Sequence, residues 1–133
     1  MSSPGKRPRV LLVDDNAAVR KTIHLLVTSL GWDVMEASRA KEALEILDKT
    51  HFDLAIIDIQ MPGICGIELC RAIRREVTPS SPEVIILSGF VDYKTRKEAM
   101  EAGAKIILEK PIGRDGMLAA FKKCGLHYTE HAV

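Results

Sequence analysis

The chain has 133 residues, of which 47% are hydrophobic and 28% charged, which is typical of one folded domain and excludes a largely disordered chain. A formal net charge of +1 provides no global attraction to nucleic acid or to an anionic membrane. The three cysteines are few and odd in number, which disfavours a disulfide framework. No window approaches the ~20 apolar residues of a membrane span, and no signal peptide precedes the first apolar run. We therefore expect a cytoplasmic location and no membrane partner.

Five short apolar runs predict the strands of a sheet. Four of them are rich in Val and Ile and do not alternate with polar residues, as expected of parallel strands that are covered on both faces. The second run is weaker. In chain order the runs are Val10–Val13, Trp32–Met35, Leu54–Ile57, Val84–Leu87 and Ile106–Leu108.

Segments with helical spacing follow each of these runs. Gly31 predicts the end of the first helix, Ser38 predicts the N-cap of the second, and Gly103 follows the fourth. The fourth helix is predicted over Tyr93–Ala102. The apolar positions that indicate the first, second, third and fifth helices are Val19, Ile23, Leu26, Val27 and Leu30; Ala40, Ala43, Leu44 and Leu47; Ile67, Cys70 and Ile73; and Met117, Leu118, Phe121 and Cys124. Alternating strands and helices predict an α/β fold of one domain, a doubly wound parallel sheet of (βα)5 type with right-handed crossovers. We place this domain at residues 8–124, with flexible termini at 1–7 and 126–133.

Polar side chains follow four of the predicted strands. Asp14 and Asp15 follow the first, Asp58 the third, Ser88 the fourth and Lys110 the fifth. In an open parallel sheet the ligand site lies beyond the carboxyl ends of the strands, so these side chains are expected to meet there.

Three carboxylates at one edge repel one another unless cations hold them ionised. Lys110 is one such cation, and an all-oxygen ligand set favours Mg²⁺ or Mn²⁺ as a second. A set of carboxylates, a lysine and a divalent metal ion is suited to phosphoryl transfer, because catalysis of that reaction depends mainly on positioning the reacting groups and neutralising their charge. We expect Asp58 to be the nucleophile, Asp15 to bind the metal directly and Asp14 to hold a metal-bound water. Lys110 and the Ser88 hydroxyl would bind phosphoryl oxygens.

Four motifs at these positions together resemble the response-regulator receiver domain of two-component signalling. They are DD at 14–15, DIQMPG at 58–63, SG at 88–89 and KP at 110–111. The resemblance implies a flavodoxin-like strand order of 2-1-3-4-5 and a phosphorylation-controlled switch, in which Asp58 accepts a phosphoryl group with Mg²⁺. It also implies a metal contact from the backbone carbonyl of Gln60 and a cis peptide bond between Lys110 and Pro111.

The resemblance further implies the partners of the chain. The phosphoryl donor would be a sensor histidine kinase or a phosphotransfer protein. The fourth helix, fifth strand and fifth helix, at about residues 92–124, would act on a downstream protein or output domain that the sequence does not name. A homodimer that forms on phosphorylation is a further possibility. We expect no direct contact of this domain with nucleic acid.

Two positions bear on how such a switch works here. Receivers usually carry Tyr or Phe three residues before the lysine, but this chain has Ile107. We therefore expect a smaller rearrangement, led by Ser88 and the loop that follows it. Gln60 and Phe90 are the residues expected, by resemblance, to tune hydrolysis of the phosphoryl group. Phe90 either screens that group or is simply a loop aromatic.

Two other functions stay open at this point. One is a small phosphatase or phosphotransferase with an aspartyl nucleophile, similar to haloacid-dehalogenase-fold enzymes. Such enzymes generally have a second Asp two residues after the nucleophile, where this chain has Gln60. The other is a receiver-like interaction module that is independent of phosphorylation. Retention of Asp14, Asp15, Asp58 and Lys110 argues against it, because clustered carboxylates are costly without a charge partner. We expect a switch and not an enzyme that turns over a separate substrate.

Overall fold

Strands and helices alternate along residues 8–77 and 81–126, which are the residues that the computed structural model describes. The elements are β1 Arg9–Val13, α1 Ala17–Ser29, β2 Asp33–Ala37, α2 Ala40–Lys49, β3 Leu54–Asp58, α3 Gly66–Glu76, β4 Glu83–Ser88, α4 Tyr93–Glu101, β5 Ile106–Glu109 and α5 Arg114–Lys123. The flexible termini predicted at 1–7 and 126–133 lie outside the described residues, except for Leu126, whose N–H donates to the Phe121 carbonyl at 3.0 Å. None of the helices in the described part of the chain has the length and apolar character needed to cross a bilayer.

All strand pairs are parallel, and the sheet order is β2-β1-β3-β4-β5. The predicted single-domain (βα)5 fold is therefore confirmed, with its strand order. The register aligns the carboxyl ends of the central strands: Val13 pairs with Ile57, and Asp58 pairs with Leu87. Ser88 pairs with Glu109 at the end of β5. Residues that end or follow these strands consequently share one edge of the sheet.

Apolar side chains fill both faces of the sheet. One core lies beneath α2, α3 and α4, and the other beneath α1 and α5. Every residue of β3 is buried, which explains why its sequence does not alternate. In the second core the Trp32 ring stacks on Phe121 of α5, with ring centroids 4.4 Å apart. The two layers fix the sheet edge on a rigid support.

The predicted end of α1 agrees with the structure, whereas the predicted start of α2 does not. Gly31 follows the end of α1 with φ 92°, a conformation that favours glycine, so that prediction is confirmed. The predicted N-cap Ser38 is wrong, because the N-cap of α2 is Arg39. Ser38 instead donates its backbone N–H to the Glu42 carboxylate at 2.8 Å, and its hydroxyl lies 3.2 Å from the same oxygen. Glu42 thus reaches back past the helix end and accepts from both Ser38 donors, so the Ser38 hydroxyl does not cap the first turn of α2.

Candidate functional site

Lys110 joins two acidic residues that lie far from it in the sequence. Its Nζ lies 2.9 Å from Asp58 Oδ1 and 3.6 Å from Asp14 Oδ2. The backbone of Lys110 is fixed by a hydrogen bond of 2.7 Å from its N–H to the Ser88 carbonyl, and the Lys110–Pro111 peptide bond is cis. The end of β5 therefore delivers an ammonium group to the carboxylate at the end of β3.

The three predicted aspartates form one cluster. One carboxylate oxygen from each of Asp14, Asp15 and Asp58 lies within 4.8 Å of the other two. Asp14 and Asp58 are 0% and 5% exposed, whereas Asp15 is open to solvent. Neither Asp14 nor Asp15 is the N-cap of α1, because Asn16 takes that place and its side chain accepts a hydrogen bond from the Val19 N–H at 3.0 Å. Helix capping therefore does not explain the acidic pair.

One oxygen of Asp14 indicates what the cluster can hold. Oδ1 accepts a hydrogen bond of 2.9 Å from the Asn16 N–H, but Oδ2 is buried, has no hydrogen-bond partner among the described residues, and has the Lys110 ammonium only at 3.6 Å. A buried carboxylate oxygen without a donor is costly unless a cation approaches it. The oxygen-only donor set, with one exposed member, fits a hard divalent cation that keeps some of its water.

Burial and charge shift two pKa values in this cluster. Burial, helped by the charges of Asp58 and Asp15, raises the pKa of Asp14, although the Asn16 hydrogen bond and Lys110 oppose the shift. For Lys110, burial by itself would lower the pKa, but the hydrogen bond that its ammonium donates to Asp58 and the charges of both aspartates outweigh it, so the pKa is raised. Lys110 is therefore charged at neutral pH. Asp14 is the carboxylate of the cluster whose ionised form is disfavoured by its surroundings.

Asp14→Asn is expected to stabilise the metal-free protein at neutral pH. Because the folded-state pKa of Asp14 lies above its ordinary 3.8, the parent loses stability as the pH rises through that folded-state pKa, and the Asn variant does not. The gain in free energy of unfolding should be about 1–3 kcal/mol. Urea unfolding with a chelator should show it at pH 7 and should show none at a pH below the ordinary Asp pKa.

The exposed neighbour supplies the control for that experiment. Asp15→Asn removes the same charge from a solvated position, so its effect on the free energy of unfolding should be smaller. A parent that is more stable than Asp14→Asn at pH 7 without metal would contradict the expectation. It would mean that Lys110 compensates the buried carboxylate in full.

Ser88 lies at the same edge, but its hydroxyl is engaged with the loop that follows. The hydroxyl donates a hydrogen bond of 2.7 Å to the Phe90 carbonyl and accepts one of 3.2 Å from the Phe90 N–H. The Phe90 side chain is 69% exposed. Gln60 is exposed in the loop after β3, and the metal contact from its carbonyl stays a prediction. Ile107 is 3% exposed and belongs to the core beneath α2, α3 and α4.

Sequence reasoning missed two residues that contact this site. Arg20 of α1 donates a hydrogen bond of 2.7 Å to the Asp14 carbonyl, and Glu36 of β2 accepts one of 2.7 Å from Arg20. The predicted site residues follow β1, β3, β4 and β5, whereas Glu36 lies near the end of β2. Because β2 is parallel to β1, its carboxyl end lies at the same edge, which is the signal that would have found Glu36.

Comparisons with known proteins agree with this geometry. The family model for the response regulator receiver domain matches residues 10–122. The transcriptional regulatory protein FixJ of Bradyrhizobium diazoefficiens is 33% identical over 93% of this chain and 59% of its own length. The cell cycle transcriptional regulator CtrA of Caulobacter vibrioides is 31% identical over 84% of this chain and 47% of its own. The chain thus spans about half the length of these curated relatives.

Solved structures show the same likeness. The chemotaxis protein CheY4 of Vibrio cholerae superposes with a TM-score of 0.84 at 26% identity, over 90% of this chain and 99% of that one. A receiver domain protein from Clostridium thermocellum gives 0.80 at 30% identity, over 88% and 93% of the two chains. The chain therefore belongs to the response regulator receiver domain family, whose members are phosphorylation-controlled signalling switches and not classical enzymes.

Proposed function

We propose that Asp58 is the phosphoryl acceptor of this receiver domain. The observation that carries the proposal is the ammonium of Lys110, 2.9 Å from the Asp58 carboxylate and beside two further aspartates. A carboxylate oxygen of Asp58 attacks the phosphorus of a phosphohistidine on a sensor kinase or phosphotransfer protein. The new P–O bond forms as the P–N bond breaks, and the departing imidazole keeps the electron pair and takes a proton from solvent.

The other residues of the edge hold and neutralise charge in this proposal. Asp15 would bind Mg²⁺ (or Mn²⁺) directly and Asp14 would hold it through water, while Asp58 and the Gln60 carbonyl would be the remaining protein ligands. The ion, when bound, supplies positive charge next to the phosphoryl oxygens. Lys110 binds one phosphoryl oxygen from the position it already occupies. The Ser88 hydroxyl reaches another after it leaves the Phe90 carbonyl, which is a rotation of one side chain.

The added charge then changes the surface of the domain. A phosphoryl group brings about −1.5 to −2 charges near pH 7, and it shifts a surface only through contacts that differ between two states. We place that surface on α4, β5 and α5, with Ile107 as an aliphatic core residue in place of the usual aromatic one. Gln60 and the exposed Phe90 tune the lifetime of the phosphoryl group. The recipient is a downstream protein or output domain, reached in the cytoplasm and without direct nucleic-acid contact by residues 8–124.

Intact-mass spectrometry after incubation with Mg²⁺ and acetyl phosphate tests the acceptor. The parent should gain the mass of one phosphoryl group, and Asp58→Asn should gain none. Asp48→Asn, which removes an exposed carboxylate from α2, should behave as the parent does.

Three results would contradict the proposal. A gain that persists in Asp58→Asn would place the acceptor elsewhere. A parent that gains no mass would favour an interaction module that is independent of phosphorylation. Repeated hydrolysis of small phosphoesters would favour the aspartyl-nucleophile phosphatase.

A further inference from the structure

Arg20 connects three parts of the chain next to the acidic cluster. Its Nη1 donates to the backbone carbonyl of Asp14 at 2.7 Å, and its Nε donates to Glu36 Oε1 at 2.7 Å. The side chain is only 19% exposed. One guanidinium group therefore ties α1 to the loop after β1 and to the last residues of β2.

The bond from Arg20 fixes the backbone that carries two aspartates. The carbonyl that it holds belongs to the peptide unit between Asp14 and Asp15. On the other side of Asp14, the N–H donates to the Ala37 carbonyl at 3.2 Å. Because a peptide unit is planar, holding its carbonyl sets the direction in which both flanking residues leave it. The exposed Asp15 gains most from this support, since it lies outside the packed core.

Glu36 is itself held firmly enough to anchor Arg20. Its second oxygen, Oε2, lies 2.6 Å from His24 Nδ1 on the next turn of α1. The hydrogen bond from Arg20, with a smaller contribution from the nearby His24, holds the pKa of Glu36 below its ordinary value, although burial opposes the shift. The carboxylate is therefore ionised at neutral pH, and the planar guanidinium group is fixed by a charge-assisted bond.

We propose that Arg20 is a positioning residue for the Mg²⁺ site, which it serves by holding the Asp14–Asp15 peptide in the orientation that presents both carboxylates to the ion. Glu36 anchors Arg20 in this role. The inference rests on the metal site of the proposed function and adds to it residues that never touch the ion. Groups that orient metal ligands typically change metal affinity by roughly 10–100-fold when they are removed.

Amide NMR titration of the metal-free chain with Mg²⁺ alone tests this role. Arg20→Ala should raise the Mg²⁺ Kd by roughly tenfold. Arg20→Lys should not restore the affinity, because one ammonium cannot take the place of the planar fork. Glu36→Gln should raise the Kd a few-fold in the parent and should add nothing in the Arg20→Ala background, because Glu36 acts through Arg20. Should Arg20→Ala fail to fold, Glu36→Gln alone carries the test.

Arg74→Ala is the matched control. This arginine is also partly buried, and it donates to the Gly103 carbonyl at 2.9 and 3.0 Å, far from the aspartates in the fold. Its loss should lower the Tm and leave the Mg²⁺ Kd unchanged.

An Arg20→Ala Kd equal to that of the parent would overturn the positioning role and leave the metal site intact. Independent, additive effects of Glu36→Gln and Arg20→Ala would overturn the anchoring role. A parent without Mg²⁺-dependent shifts at Asp14, Asp15 or Asp58 would overturn the proposed function too.

Discussion

Replacing Lys110 with alanine is expected to slow phosphorylation of Asp58 by roughly 100-fold or more, the usual cost of removing one charge-stabilising donor from a transition state. The reason is its position, since Nζ already lies 2.9 Å from the acceptor carboxylate. Among the described residues, Lys110 is the one cation that forms an ion pair with this carboxylate, and the two charged residues clustered with it, Asp14 and Asp15, are acidic. The measurement is the rate of mass gain with acetyl phosphate and saturating Mg²⁺.

Lys105→Ala provides the matched control for this substitution. Lys105 is an exposed lysine just before β5, at the opposite end of that strand from Lys110. Its removal changes the net charge equally, so the variant should be phosphorylated at the rate of the parent. If both variants slowed to the same extent, net charge and not the placed ammonium would explain the effect. If Lys110→Ala reacted at the parental rate, the ammonium would have no part in the transfer.

Gly66→Ala is expected to lower the free energy of unfolding by about 2–3 kcal/mol and to impair phosphorylation as well. Helix α3 begins at Gly66, whose N–H donates to the Ile59 carbonyl at 2.8 Å. A Cβ at this position would overlap the carbonyl oxygen of Asp58 and lie 2.8 Å from Ile59 Cα. Both groups are backbone, so the clash can be relieved only by moving the acceptor residue or the helix.

Gly116→Ala is the comparison that isolates the clash. Gly116 also lies in the first turn of a helix, α5, and its added Cβ would meet only the Ile112 side chain at an ordinary 3.8 Å. Alanine there should stabilise the chain by up to about 1 kcal/mol, because glycine is a poor helix former. Urea unfolding gives both differences. A Gly66→Ala midpoint at or above that of the parent would show that the helix start can yield without cost.

The sequence predicts the sheet and the meeting of Asp58 with Lys110 because both follow from order along the chain. Buried runs such as Leu54–Ile57 need no more than composition to be recognised, and parallel strands then place their ends together. The edge strand β2 was predicted less well: it covers Asp33–Ala37, whereas the apolar run is Trp32–Met35. Exposure alternates along β2 because one face of this edge strand is open to solvent. Trp32 is a core residue that lies just before the strand, so it misplaced the predicted start.

The remaining features depend on contacts that residue order does not encode. The bond from Ser88 to the Phe90 carbonyl depends on the backbone angles of one loop. Arg20 and Glu36 meet because α1 packs against β2, and nothing in either local sequence distinguishes them from solvated charges. His24, which has the appearance of an isolated surface histidine in the sequence, completes that group.

The stacked pair in the second core gives this chain a built-in optical reporter. Trp32 is the only tryptophan of the sequence, it is 1% exposed, and its ring lies against Phe121 of the last helix. Its emission wavelength therefore records whether α5 is seated on the sheet, with no added label. Since α5 is one of the elements to which we assign signal output, the same indole reports on that surface from inside the molecule.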